Sequence, residues 1–166
     1  MGKLISIDLA IRQTGIAVFT DRHLDLTATI KQTLGKVYSP LDVQQLKIAF
    51  MNVDGLGKYL DKNARILIEY NTINNSQKLT DFALEVKGYL LGQGYDVIMI
   101  NANHWMRLAD KWLALKRNNY PSGRENNKIW IRALADHIFP DHKFNSQDEM
   151  DATIMGATYL VSPSSF

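Results

Sequence analysis

The chain contains no cysteine. That excludes disulfides, thiolate zinc sites and a cysteine nucleophile. Any metal must therefore be held by oxygen or imidazole ligands. The histidines, His23, His104, His137 and His142, show no metal-ligand spacing. His137 and His142 are separated by Pro140 and do not share a helical face, so the imidazoles read as structural or surface groups and oxygen is left as the donor. No run of about 18 apolar residues occurs, so no membrane span is expected. The first residues lead straight into a strand, without a basic segment, apolar core and cleavage site. The expectation is a soluble cytoplasmic protein. A glycine-rich phosphate loop is also missing.

What is present fits one domain over residues 1–166, with 46% hydrophobic and 22% charged residues, enough for a sizeable core. The net charge of +2 is unevenly spread. From Asn101 to Asn145 there are eight basic against four acidic residues, a net +4 that leaves −2 for the remainder. Such a segment is either a solvated helical face or a phosphate-contacting surface.

Lys3 to Asp8 reads as a short apolar strand ending on a carboxylate, and Arg65 to Glu69 repeats that plan. Between them, Thr14 to Phe19 and His23 to Thr33 read as further strands, joined by a tight turn at Asp21-Arg22. Gly15 would allow a close backbone approach or a bulge near Asp8. Ser39-Pro40 opens a helix, with Leu46, Phe50, Val53 and Leu60 on one stripe. Ser76 caps a second helix to about Leu91, whose apolar face is Leu79, Phe82, Ala83, Val86 and Leu90. Tyr95 to Ile100 is the fifth strand. Three helices follow, at about Asn103–Leu115, Arg124–Phe139 and Ser146–Leu160. Trp105 and Trp112, in line with Leu108 and Leu115, read as core. Trp130 reads as the tryptophan better placed to meet a ligand. The order predicts an α/β fold with a mixed five-stranded sheet, three strands antiparallel and then parallel ones, and helices on both faces.

The last helix supplies more acids. Ser146 and Glu149 have capping-box spacing, and Glu149 is assigned mainly to that role. Asp148 and Asp151, three apart, share a face. Ala152 and Gly156 are small and would let this helix lie close against the sheet. Asp8, Glu69, Asp148 and Asp151 gathered together would repel one another at low dielectric, which a hard dication would offset.

These residues, with Gly15 seven after Asp8, Glu69 closing the fourth strand, and Asp148-x-x-Asp151-Ala152 opening the last helix, resemble the RuvC family of Holliday junction resolvases. The resemblance runs through nearly the whole chain in order and spacing. It implies the ribonuclease H-like fold, a homodimer built around the Ser76–Leu91 helix, and an endonuclease resolving four-way and related branched DNA. Tyr89 and Leu91, outside that helix's main stripe, fit a two-fold contact. Two Mg²⁺ ions per site are implied, with Mn²⁺ as a substitute, held by Asp8, Glu69, Asp148 and Asp151. On this reading Asp8 bridges the ions, Glu69 holds the one at the leaving 3′ oxygen, and Asp151, helped by Asp148, holds the one at the attacking water. Arg117, Arg124, Lys128 and Arg132 are expected to contact backbone phosphates. Bacterial members carry Pro-Gly after the first Asp, where this chain has Leu9-Ala10. Their junction-wedging aromatic, three residues after the Glu, is Thr72 here. Such divergence points to a phage or viral branch, which would act in the host cytoplasm. Actin-like ATPases share the fold but are about twice as long and carry glycine-rich loops. Two rivals remain open: a non-cutting branched-DNA binding protein, and an RNA-directed nuclease of the YqgF or ribonuclease H type.

Overall fold

The structure, a computed structural model, describes residues 2–32, 39–70 and 77–166. Strand β1 (Lys3–Asp8) pairs antiparallel with β2 (Gln13–Thr20), and β2 pairs with β3 (His23–Lys31). The β2–β3 turn places both Asp21 and Arg22 at positive φ, the geometry that suits a two-residue hairpin. Helix α1 (Pro40–Met51) leads to β4 (Arg65–Tyr70), which lies parallel to β1. Helix α2 (Gln77–Gly92) then crosses to β5 (Asp96–Asn101), parallel to β4. Three helices complete the order: α3 (Ala102–Trp112), α4 (Arg124–Ile138) and α5 (Gln147–Val161). The sheet order is β3-β2-β1-β4-β5, the mixed five-stranded α/β sheet expected from the element pattern. No described helix is long and apolar enough to cross a membrane.

The sheet has two apolar faces because its central strands are buried on both sides. Ile5, Ile7, Ile16, Val18, Ile66 and Ile68 pack under α1 and α2 with Leu46, Phe50, Phe82, Val86 and Leu90. Leu4, Ala17, Phe19 and Leu67 pack under α3, α4 and α5 with Trp105, Trp130, Leu134 and Ile154. Strand side chains alternate, so Asp8 shares a face with Leu4, and Glu69 shares one with Leu67. Both acids therefore emerge on the side of the sheet covered by the last three helices.

Helix α5 lies unusually close to that face. A Cβ at Gly15 would stand 2.0 Å from the Asp148 carbonyl oxygen, and one at Gly156 would stand 2.5 Å from the Phe19 ring. The absence of side chains at these positions lets the helix rest on β2 and β1, and brings its first turn against the strand carrying Gly15. Gly15 in turn pairs with Asp8.

Several local expectations differ from the structure. Ser39 caps α1 as expected, but the capping box closes on Asp42. The helix stops at Met51, where Asn52 Oδ1 accepts the N–H groups of Asp54 and Gly55. Val53 is thereby turned off the apolar stripe and is 79% exposed. Trp112, the last residue of α3, is also outside the core, 49% exposed; the helix ends there rather than at Leu115, and Leu113 turns inward. Trp130 is fully buried and donates its indole N–H to the Leu115 carbonyl at 2.9 Å. It cannot meet a ligand: two residues along a helix is about 200° of rotation, so Trp130 faces away from Lys128 and Arg132. Thr33, the Asn71–Asn75 loop, Thr72 and the Ser76 cap lie outside the described residues.

Replacing Gly15 with Ala should force α5 off the sheet, because its Cβ would meet backbone rather than a flexible side chain. Urea unfolding is expected to show a loss of about 2–3 kcal/mol or more. A loss below roughly 0.5 kcal/mol, within the range of an ordinary surface substitution, would contradict this close docking.

Candidate active site

Register brings the first two acids together. In the parallel β1–β4 pair, Asp8 stands directly opposite Glu69. The first turns of α5 supply the other two, Asp148 and Asp151, on one helical face. All four sequence-predicted carboxylates thus gather at the carboxyl ends of the two central strands. Their electrostatics reflect it. Burial pushes Asp8 well above its ordinary range, and the charges of Glu69, Asp151 and Asp148 push it further. Burial raises Glu69 to about 7, opposed by a hydrogen bond from Trp105 and reinforced by Asp151. Asp151 is raised to about 6 by burial and by Asp148, against a hydrogen bond from Gln147 and the charge of Lys128.

Three of the acids are tied sideways by neutral donors. Trp105 Nε1 donates to Glu69 Oε2 at 2.7 Å. Gln13 Nε2 donates to Asp148 Oδ2 at 2.6 Å, and Gln147 Nε2 to Asp151 Oδ1 at 2.9 Å. Among the described residues, no group of three or more His, Asp or Glu side chains stands in a geometry ready to enclose an ion. The donor set itself suits a hard dication: carboxylate oxygens only, partly withdrawn from water, with Lys128 as the one cation acting on Asp151.

Glu149 turns away from this cluster. Its backbone N–H is accepted by Ser146 Oγ, one half of the capping box. Its carboxylate accepts from the Asn145 N–H at 2.9 Å, one residue before the cap, and from Thr27 and Thr29 on β3. Only 1% exposed, it anchors α5 to the sheet edge.

The basic residues divide. Arg124, Lys128 and Arg132 are exposed at four-residue intervals along α4, one charged stripe extending about 12 Å. Lys128 is close enough to Asp151 to lower its proton affinity. Arg117 is half-buried, with its guanidinium 5.9 Å from the Trp130 ring centre.

The donors to the acids escaped sequence reasoning. Only Gln147, four residues before Asp151 on the same helix, had a readable spacing.

Solved structures share this architecture. Thermus thermophilus RuvC in complex with a Holliday junction substrate superposes with a TM-score of 0.57 at 12% identity, over 96% of this chain and 95% of that one. The fold is that of the RuvC-like resolvases. A second Thermus thermophilus RuvC structure gives 0.58 at 13% identity, over 95% of each chain. Fowlpox virus resolvase with its substrate Holliday junction DNA gives 0.53 at 13% identity, over 98% of this chain and 95% of that one. No family model and no curated protein matches the sequence. The RuvC-like fold accounts for the two-sided sheet and for the position of the closing helix.

The raised carboxyls have a consequence for stability. The folded state retains protons that the unfolded chain releases as pH rises from about 4. Stability therefore falls from there through about 6 and about 7, the values reached by Asp151 and Glu69, with Asp8 acting in the same direction, and the penalty persists at higher pH. Asp8→Asn removes one of the repelling charges. In chelator, calorimetry at pH 8 should show a gain of about 1–3 kcal/mol, roughly 3–10 °C in Tm, shrinking toward zero near pH 4. An equal gain at both pH values would show that relief of repulsion is not its source.

Proposed function

We propose that the protein is a divalent-metal-dependent endonuclease that cuts four-way and related branched DNA as a homodimer. The observation that carries this reading is the meeting of Asp8, Glu69, Asp148 and Asp151 on one sheet face beside Lys128. The RuvC-like fold supports it, since its structural neighbours include RuvC with a Holliday junction substrate and a poxvirus resolvase with its junction DNA.

Asp8, Glu69, Asp148 and Asp151 would hold the metal, with Mg²⁺ the expected ion and Mn²⁺ a substitute. Bound there, a pair of such ions supplies Lewis acidity to the scissile phosphate and its attacking water. The chain's own groups do the rest. Asp8, which feels the charges of all three other acids, would be the central ligand. Asp148 and Asp151 lie on the helix side, and Glu69 on the strand side. Attack of water at phosphorus with the 3′ oxygen as leaving group would give a 5′-phosphate and a 3′-hydroxyl. Lys128, whose ammonium bonds Glu125 at 3.0 Å and offsets charge at Asp151, would turn to the phosphate, and Arg124 and Arg132 would extend its track along α4. Arg117, beside the Trp130 ring, lies off that stripe.

The two-fold contact is assigned to α2, which exposes Leu84 (57%) and Leu91 (48%) opposite its buried stripe and Tyr89 (41%) on the side of α1, beside Lys47. A homodimer buries this apolar surface and presents two sites to two strands. A second reading, a branched-DNA binder that holds no ions, draws support from the sideways bonds on three of the acids.

With a labelled four-way junction and Mg²⁺, the wild type is expected to make paired symmetric cuts. Asp8→Asn should abolish cleavage yet retain junction binding. Cleavage by that variant would falsify the metal-ligand role of Asp8, binding without any cutting by the wild type would favour the second reading, and unpaired nicks would count against the dimer.

Arg124→Ala should weaken binding alike on junctions of different sequence and make the slope of log K against log salt shallower by about 0.9. A loss confined to one base sequence would exclude a phosphate contact.

A further inference from the structure

Trp105 stands apart from the other tryptophans in how its N–H is used. Trp130 donates to a main-chain carbonyl, a purely structural bond. Trp105 is 2% exposed, and its indole N–H goes to the Glu69 carboxylate. An indole is a neutral donor with no acceptor. It can orient a carboxylate but cannot ligate a cation or neutralise the charge that attracts one.

The placement follows from the sheet. Ile100 on β5 pairs with Glu69 on β4, so β5 ends one residue beyond the acid. Asn101 Oδ1 then accepts the Asn103 N–H and starts α3 at that level. Trp105 lies one turn along and is locked by the apolar cluster beneath α3, α4 and α5. A free glutamate side chain has three rotatable bonds, and the charges around Glu69 would drive it outward. The bond holds Oε2 in place, while Oε1 receives no donor from the described residues.

We propose that Trp105 is a positioning residue for the divalent ion at Glu69: its buried indole N–H holds one carboxylate oxygen so that the other is presented to the ion. This rests on reading the four carboxylates as a metal centre. Partners of this kind, one bond removed from a metal, commonly change affinity by about 10–100-fold.

Titration calorimetry with Mn²⁺ and DNA-free protein tests it in a double-mutant cycle. Trp105→Phe keeps an aromatic ring in the core and removes the N–H. It is expected to weaken one Mn²⁺ site about tenfold or more. In a Glu69→Gln background the same change should alter affinity by less than about twofold. An equal loss in both backgrounds would assign Trp105 to structure alone and overturn the proposal. Unchanged Mn²⁺ affinity in Trp105→Phe would overturn it while leaving the metal centre intact. No Mn²⁺ binding by the wild type would overturn both. Should Trp105→Phe fold poorly, the wild type still decides. Of the three indole N–H resonances, that of Trp105 should move on Mg²⁺ addition and on Glu69→Gln. A Trp105 resonance indifferent to both would reject the proposal.

Discussion

Repulsion among four clustered carboxylates, Asp8, Glu69 and Asp151 among them largely withdrawn from water, is the constraint around which this fold is arranged. Left to itself, such a cluster would spread or take up protons, and the raised proton affinities of Asp8, Glu69 and Asp151 express that tendency. It stays together because each acid is carried by an element that is held for other reasons. Asp8 ends β1 and Glu69 stands next to the end of β4, the neighbouring strand of the sheet. Their adjacency is a matter of backbone register, and a slip of one residue would send either to the opposite face. Asp148 and Asp151 ride on a helix that is almost wholly buried beyond its first turn.

The approach of that helix depends on what two glycines omit. At Gly15 and Gly156 a single methyl would collide with backbone or with a core ring, so the site closes only where β2 and α5 can touch through bare main chain. Glu149 reinforces the seating from the other side, anchoring the helix start to Thr27 and Thr29 on the edge strand. The two faces of the sheet then divide their work. The α1–α2 face is apolar throughout and ends in the exposed side chains of α2. The α3–α5 face carries the acids and, along its outer border, the cationic stripe of α4. On the proposed reading, this stripe of positive charge would guide a phosphate chain toward cations held by the acids.

Much of this was legible residue by residue. Apolar runs ending on Asp8 and Glu69 marked the strands. The three-residue spacing marked Asp148 and Asp151 as neighbours, and the small residues Gly15 and Gly156 marked a close approach. Misreadings fell where a helix ended or rotated. Val53 fits an apolar stripe only if α1 continues, and that helix stops at Met51; Trp112 is the last residue of α3, and Leu113 beyond it enters the core in its place. Trp130 was read by its distance along the chain from Lys128, whereas the helix puts the two on opposite sides.

By itself, then, the sequence determined which side chains could meet, because the period-two alternation of strands and the 3.6-residue turn of helices are local properties written in neighbouring residues. The tertiary structure alone decided how the acids are held. Gln13 reaches Asp148 across 135 positions, and Trp105 reaches Glu69 across 36. It also decided that Glu149 points to β3 rather than into the cluster. Those choices depend on which donor the packed core carries to within about 3 Å of a given oxygen, and no periodicity within a single element encodes that.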